Sequence, residues 1–391
     1  MPGLADMNVR NSEHKPRNAE LSPEDALRLQ VMLQNASAIR IDESRMMVYG
    51  LAPDREMSAE LNPICHPDRY VERVRQMLST QVLGAPGGYP VFIQRWTRTG
   101  DITAAHLDRL LMLADPEAAL AVARAPDLDA DLAARVWWVA PTAEIGRALL
   151  AKREVVDSAI GREIAEYLLE LLPFETEHMY MLQTLERILQ PGLIPDERRE
   201  RLWRGGRARS TYLVGFMGAS PEDLPDPLPD RPDLEEYGPK LAEMAAAGNP
   251  YAALLLRALE SPGQSFLAAA EEAARRPPDQ EVVGSWLNAI GRYFGAARVY
   301  TDQRQEFGPI AEEVDALCDG GGDEALRELL AELPALQPEV RAMLTLAHID
   351  DAIVTPIFAR SDAVGSVMRK QIGPVLQPIL EQIATLRGRN R

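Results

Sequence analysis

The sequence has few of the residues on which disulfide-rich, metal-binding and membrane proteins depend. Its 391 residues include only two cysteines, Cys65 and Cys318, which are far apart and form no CxxC pair. This excludes a disulfide framework and the usual zinc spacing. No apolar run approaches the about 20 residues that a membrane-spanning helix needs, and residues 1–20 lack the apolar stretch of a signal peptide. We therefore expect a protein of the reducing cytoplasm.

Basic residues are also in short supply. The chain has 42 Lys and Arg against 59 Asp and Glu, which gives a formal net charge of -17. Nonspecific binding to nucleic acid or to an anionic membrane requires a basic surface, so neither is expected as a partner. The composition, 46% hydrophobic and 26% charged, is typical of a globular protein. There is no phosphate-binding loop or catalytic motif, and we expect no cofactor.

The histidines do not form a pattern that binds metal. Glu175 and His178 have the Glu-x-x-His spacing of di-iron helical bundles, which need that motif twice, and no other histidine has a glutamate three residues before it. His348 and Asp351 are one helical turn apart, which cannot complete a metal shell. We interpret His178 as a solvated or capping residue and expect no metal.

Cys65 is the one candidate nucleophile. An imidazole next to a thiol can activate it, and His66 follows Cys65 directly. Adjacent residues on an extended segment point in opposite directions, however. The pattern therefore leaves Cys65 as an alternative rather than a predicted site.

The N-terminal quarter is predicted to be a small α+β module. Residues 1–20 are polar and without periodicity, which indicates a disordered tail. Ser22-Pro23-Glu24-Asp25 favours a helix start, and Leu27, Leu29, Val31 and Met32 are expected to give that helix a buried side. Short apolar or alternating runs between residues 38 and 62 predict an antiparallel hairpin or a three-stranded meander. A helix is predicted at 67–83, and the module is expected to extend over residues 21–100.

The remainder of the chain is predicted to be helical. Apolar residues recur at helical spacing over 101–219 and again over 240–391, between Pro and Asp helix starts. Short helices joined by tight turns are typical of a HEAT-like α-solenoid, and an irregular helical array is the alternative. The fold class is therefore mainly α. The proline-rich acidic run 220–239 is interpreted as a linker between the two helical parts.

Two stretches combine tryptophan with arginine. Arg95, Trp96 and Arg98 lie in the glycine-rich hinge 84–100, where aromatic and arginine side chains favour a docking loop and simple packing between modules is the alternative. A second cluster of six arginines surrounds Trp203, and it consists of Arg198, Arg199, Arg201, Arg204, Arg207 and Arg209. Such a cluster can bind an anion, RNA or an acidic partner. The alternative is pairing with Glu197, Glu200 and the acidic linker. We take Arg95, Trp96, Arg98, Arg204 and Arg207 as candidate partner-binding residues.

Several strings resemble the DsrS family, the sulfur reduction protein encoded among the genes of the dissimilatory sulfite reductase system. They are LSPEDALRL (21–29), AIRIDESRMMVYGL (38–51), LGAPGGYPVFIQRWTRTG (83–100), LPFETE (172–177), LQPGL (189–193) and GGRARSTYLVGF (205–216). The resemblance covers roughly residues 21–220 and carries no catalytic motif. It implies a cytoplasmic accessory protein of sulfur oxidation through the reverse-acting sulfite reductase pathway.

Two functions follow from the sequence. The first is a non-catalytic interaction protein whose partner is an acidic or sulfur-pathway protein, since helical arrays offer extended surfaces without a preformed reaction centre. The alternative is a thiol-dependent sulfur carrier or enzyme that uses Cys65, which would require an exposed and reactive thiol.

Overall fold

A computed structural model describes residues 21–84, 104–300 and 306–389. The predicted tail at 1–20, and the hinge 84–100 beyond Gly84, lie outside these ranges. The chain divides into two compact units, Met1–Leu149 and Leu150–Arg391. The boundary between them falls later than the predicted end of the N-terminal module at residue 100.

The first unit contains a small sheet and several helices. Its strands are β1 (Ala38–Asp42), β2 (Met47–Leu51) and β3 (Glu56–Glu60), and its helices are α1 (Pro23–Asn35), α2 (Pro67–Leu83), α3 (Ala104–Leu110), α4 (Pro116–Arg124), α5 (Ala130–Val139) and α6 (Ala143–Leu149). The strands pair in the order β1-β2-β3, antiparallel throughout. The predicted meander between residues 38 and 62 is therefore confirmed, as is the helix at 67–83.

Helix α1 packs on this sheet with one face only. Leu29 and Met32 are buried in the core with Ile39, Val48 and Tyr70, whereas Leu27 and Val31 are exposed. The prediction that all four apolar residues face inward was wrong. At 100° per residue, positions 27 and 31 lie about 170° and 130° from the mean direction of the stripe formed by Leu29 and Met32. Leu27 and Val31 face solvent as a result.

The second unit is helical throughout the part that the structure describes. Its helices are α7 (Arg153–Val156), α8 (Ala159–Leu171), α9 (His178–Ile188), α10 (Asp196–Gly206), α11 (Ser210–Ala219), α12 (Leu234–Ala246), α13 (Pro250–Leu259), α14 (Ser261–Ala274), α15 (Gln280–Tyr293), α16 (Phe307–Ala316), α17 (Glu324–Glu332), α18 (Gln337–Ala347), α19 (Thr355–Phe358) and α20 (Gly365–Leu386). The predicted fold class, mainly α with a small N-terminal α+β segment, is confirmed.

Helix α11 lies at the centre of the second unit. It packs against α9, α10, α14 and α15, and its residues from Ser210 to Met217 are all buried. In a solenoid each repeat contacts only its neighbours along the chain, whereas α11 contacts helices that follow it by three and four positions. Of the two predicted arrangements, this packing is that of an irregular helical array.

The acidic segment predicted as a linker, 220–239, lies inside the second unit. Leu224 and Arg231 within it are buried, and the chain is helical from Leu234 onwards. The Arg231 guanidinium forms ion pairs with Asp233 at 2.5 Å and Glu339 at 3.1 Å. It also donates to the last carbonyls of α20, those of Thr385 and Leu386. This segment thereby holds α18 and α20 together.

Candidate functional site

Two of the five predicted partner-binding residues lie in the described part of the chain. Arg204 is on α10, and Arg207 directly follows that helix. Both are exposed, with 71% and 66% of their side chains accessible. Arg95, Trp96 and Arg98 lie outside the described residues. The structure therefore locates the arginine cluster but not the hinge.

Helix α10 has an inward side built around Trp203. Its indole ring meets the Phe216 ring of α11 edge-on, with the ring centroids 5.0 Å apart. The indole Nε1 donates to the Asp226 carboxylate at 3.1 Å. Because Trp203 is buried and hydrogen-bonded, it anchors α10 and is not available as a docking residue.

The acidic segment after α11 folds back against the arginines of α10. Arg199 forms an ion pair with Asp223 at 2.9 Å and also donates to the Asp223 backbone carbonyl. Arg207 pairs with Asp226 at 3.0 Å. Asp226 has a φ of 65°, in the left-handed region that aspartate tolerates better than most residues. Part of the arginine cluster is thus neutralised by the chain itself, as the alternative interpretation predicted.

A groove of about 700 Å³ lies between α10, the acidic segment and the start of α14. Its charged lining consists of two arginines, Arg199 and Arg204, and five acids, Asp196, Glu200, Glu222, Asp223 and Asp226. The pKa of Glu222 is raised, chiefly because burial disfavours its charged form. The positive charge of Arg257 lowers this pKa, and the negative charge of Glu260 raises it further. Because five acids and only two arginines line it, the groove is acidic, although the helix that forms one of its walls is rich in arginine.

The outward side of α10 remains basic. Arg198 pairs with Glu166 of α8 at 2.8 Å, and Arg204 pairs with Glu200 at 3.7 Å. Arg201 is exposed and makes no ion pair with any residue that the structure describes. Exposed pairs of this kind stabilise a fold by about 0 to 1 kcal/mol, so a partner's carboxylates can replace Glu166 or Glu200 at little cost. We call Arg198, Arg201, Arg204 and Arg207 the arginine surface.

The turn between α8 and α9 has a different character, which the sequence analysis missed. Leu171, Phe174, Met179 and Tyr180 are all exposed there, and Phe174 is 81% accessible. Five large apolar residues among ten, with Leu172 included, are a sequence signal, but periodicity alone does not show that four of them are exposed. We call residues 171–180 the apolar turn.

The remaining candidates have local partners. Nδ1 of His178 lies 2.9 Å from the Thr211 hydroxyl. The ring of His348 is buried, with Nδ1 2.8 Å from the carbonyl oxygen of Leu344. Its Nε2 accepts from the backbone N–H groups of Val299 and Tyr300 at 3.1 and 3.2 Å. His178 is therefore half-buried and contacts α11 through a side-chain hydrogen bond, which the interpretation of it as a solvated or capping residue did not include. His348 makes the contacts of a buried structural residue.

Cys65 is partly exposed in the loop before α2. Nη1 of Arg73 donates to its sulfur at 3.3 Å, and the sulfur lies 3.7 Å from the backbone carbonyl of His66. Cys318 is buried, and burial raises the pKa of its thiol. A side chain that donates to the Cys65 sulfur is thus that of Arg73, which sequence reasoning did not identify.

Over residues 21–84, 104–300 and 306–389 there is no group of three or more His, Cys, Asp and Glu side chains placed to hold a metal. None of the helices described there is long and apolar enough to cross a bilayer. No family model, curated protein or solved structure matches the chain.

Proposed function

We propose that this chain is a non-catalytic accessory protein that acts through protein–protein contacts, and that the arginine surface binds an acidic partner. The observation that carries the proposal is the exposure of Arg201, Arg204 and Arg207 along one side of α10. Guanidinium groups at such spacing can bind carboxylates in two-point contacts, and their present partners are exposed and exchangeable.

The biological setting that we propose is sulfur oxidation through the reverse-acting sulfite reductase system, in the cytoplasm. The support for it is the set of strings that resemble the DsrS family. Two of these strings, LPFETE and GGRARSTYLVGF, fall on the apolar turn and on the junction of α10 with α11. An acidic partner from the same pathway fits both the resemblance and the charge of the arginine surface.

The test is a charge reversal, Arg204→Glu with Arg207→Glu. The partner would be captured from cells growing on reduced sulfur compounds, purified and titrated against both proteins. We expect the fold to be unchanged and the association to weaken at least tenfold, which corresponds to about 1.4 kcal/mol. The association should also fade with salt, because exposed charges are screened within about 10 Å at 0.1 M.

The matched control is Arg153→Glu with Arg275→Glu. These arginines lie in the same unit, are 91% and 61% exposed, and form surface pairs with Asp157 and Glu272. The control changes the net charge equally and should leave binding intact. Binding that resists both added salt and reversal of Arg204 and Arg207 would contradict the proposal.

A thiol-dependent sulfur carrier is the second candidate, and the Arg73–Cys65 contact favours it. A persulfide or thiolate at Cys65 would retain a hydrogen bond from that guanidinium. A carrier predicts persulfide on Cys65 of the protein purified without reductant, detected by mass spectrometry, and loss of pathway flux in Cys65→Ser. For the accessory protein, we expect Cys65→Ser to leave both flux and stability nearly unchanged.

A further inference from the structure

The apolar turn exposes more hydrophobic surface than a stable fold needs. Leu171, Phe174, Met179 and Tyr180 are all at least 37% accessible, and Phe174 is the most exposed large apolar residue in the ranges that the structure describes. Single exposed apolar side chains are ordinary on protein surfaces. Four within ten residues form a patch, and such patches mark interaction sites.

The structure holds this turn in a defined conformation. Leu172 is buried beneath it, and the backbone N–H of Glu175 donates to the Leu172 carbonyl at 3.3 Å. The Glu175 carboxylate accepts from the backbone N–H groups of Thr176 and Glu177 at 3.1 and 3.3 Å. A patch that is already ordered loses little conformational entropy on binding, which favours affinity.

The charge around the apolar turn identifies the kind of partner. Residues 163–186 contain six glutamates and no lysine or arginine. Glu166 and Glu186 form ion pairs with Arg198 and Arg292, whereas Glu170 before the turn and Glu177 within it are exposed. An acidic border is repelled by anionic lipid headgroups, so a membrane does not fit this surface. A polypeptide with leucine-like residues on one face and lysine or arginine beside them fits both the patch and its border.

We infer that the apolar turn docks a basic amphipathic helix of a partner protein, with Phe174 packed among its apolar residues. Charge complementarity carries this choice, because the glutamates would face the lysines or arginines of that helix. The inference does not depend on the arginine surface, whose charge is opposite. A partner that bound both surfaces would have to present acidic and basic regions.

The binding test uses a short fluorescein-labelled peptide with leucines at helical spacing among lysines. Its affinity is measured by fluorescence anisotropy at physiological ionic strength, about 0.15 M. A scrambled peptide of the same composition separates the apolar stripe from the bulk charge. We expect the amphipathic peptide to bind the chain at least tenfold more tightly than the scrambled one.

Phe174→Ser should abolish that preference. Its fold should be intact because the side chain is 81% accessible, and a chemical-unfolding midpoint would verify this. Glu170→Gln with Glu177→Gln should weaken binding and flatten its salt dependence. Leu27→Ser is the matched control, because Leu27 is 62% exposed on α1 of the first unit, and it should bind the peptide like the unmodified chain.

Three results would overturn the inference. Equal binding of the scrambled peptide would show a response to net charge alone. Full binding by Phe174→Ser would show that the peptide binds elsewhere. Self-association of the pure chain that disappears in Phe174→Ser, measured by sedimentation, would make a second copy of the chain the occupant in place of a partner.

Discussion

Helices α10 and α11 follow one another with only three residues between them, and their surroundings are opposite. Only Trp203 and Gly206 of α10 are buried, whereas α11 is buried at eight consecutive positions, Ser210 to Met217. A helix that is apolar on all sides belongs in a core, and one that is largely polar depends on few contacts. The difference indicates that α11 determines the stability of this region and leaves the outer side of α10 free for recognition.

The largest effect should follow from truncation within α11. Phe216 is fully buried, so Phe216→Ala should lower the free energy of unfolding by about 3 to 5 kcal/mol through lost burial and a cavity. Chemical denaturation would measure it. Phe174→Ala is the matched control, because the same change on an exposed ring should alter stability by less than about 0.5 kcal/mol. Similar losses of unfolding free energy in the two variants would contradict the central role of α11 in stability.

A smaller effect is expected where the two helices meet. A Cβ at Gly206 would lie 2.6 Å from the Cβ of Tyr212, while one at Gly205 would meet nothing within 4 Å. Gly206→Ala should therefore destabilise the protein by about 1 to 3 kcal/mol. Gly205→Ala should stabilise it by up to about 1 kcal/mol through helix propensity. Thermal unfolding of both variants would measure the change in stability that each substitution causes. A change in the same direction for both would contradict the close approach of Tyr212.

Replacement of Trp203 by Phe should have an effect of about 1 kcal/mol. The ring contact with Phe216 is largely kept, whereas the hydrogen bond from Nε1 to Asp226 is lost, and one such bond is worth about 0.5 to 1.5 kcal/mol. A double-mutant cycle with Asp226→Ala, which removes the acceptor, would isolate that bond. If the two substitutions were additive, the hydrogen bond would contribute nothing.

The smallest effect is expected on the outer side of α10. Arg201→Ala should change the free energy of unfolding by no more than about 0.5 kcal/mol, because the side chain is exposed and makes no ion pair among the described residues. The same substitution should weaken association with an acidic partner. A large loss of stability would mean that the arginine surface is structural, and the contrast with α11 would disappear.

Local patterns predicted much of the fold. Alternating short strands and the capped, periodic helix at 67–83 both form as expected, because pairing and burial there involve residues close in sequence. Helix α11 lies within the predicted helical range 101–219. Its burial on every side was not predicted, because a segment that is apolar all round has no 3.6-residue periodicity. Leu27 and Val31 were predicted to face inward because they are apolar. Apolar character alone does not indicate which face of a helix packs on the sheet.

Arg204 and Arg207 are exposed, and their role in binding a partner stays a prediction. The sequence analysis gave pairing with Glu200 and the acidic segment as the alternative interpretation, and both pairings form. The buried state of Trp203 depends on Phe216 and Asp226, which lie 13 and 23 residues away, and a one-dimensional pattern does not show such contacts. The apolar turn was missed because solvent exposure is a property of the folded chain.

The position of Arg231 has a consequence for biosynthesis. Its carboxylate partner Glu339 and its carbonyl acceptors Thr385 and Leu386 lie 108, 154 and 155 residues further along the chain. At about 5 to 20 residues per second, translation takes roughly ten to thirty seconds to supply them. During that interval Arg231 can pair with Asp233, whereas Glu339 and the carbonyls at the end of α20 have not yet been synthesised. The contacts of Arg231 with α18 and α20 can therefore form only late in synthesis, and a chain truncated before residue 339 would retain only Asp233 among these partners.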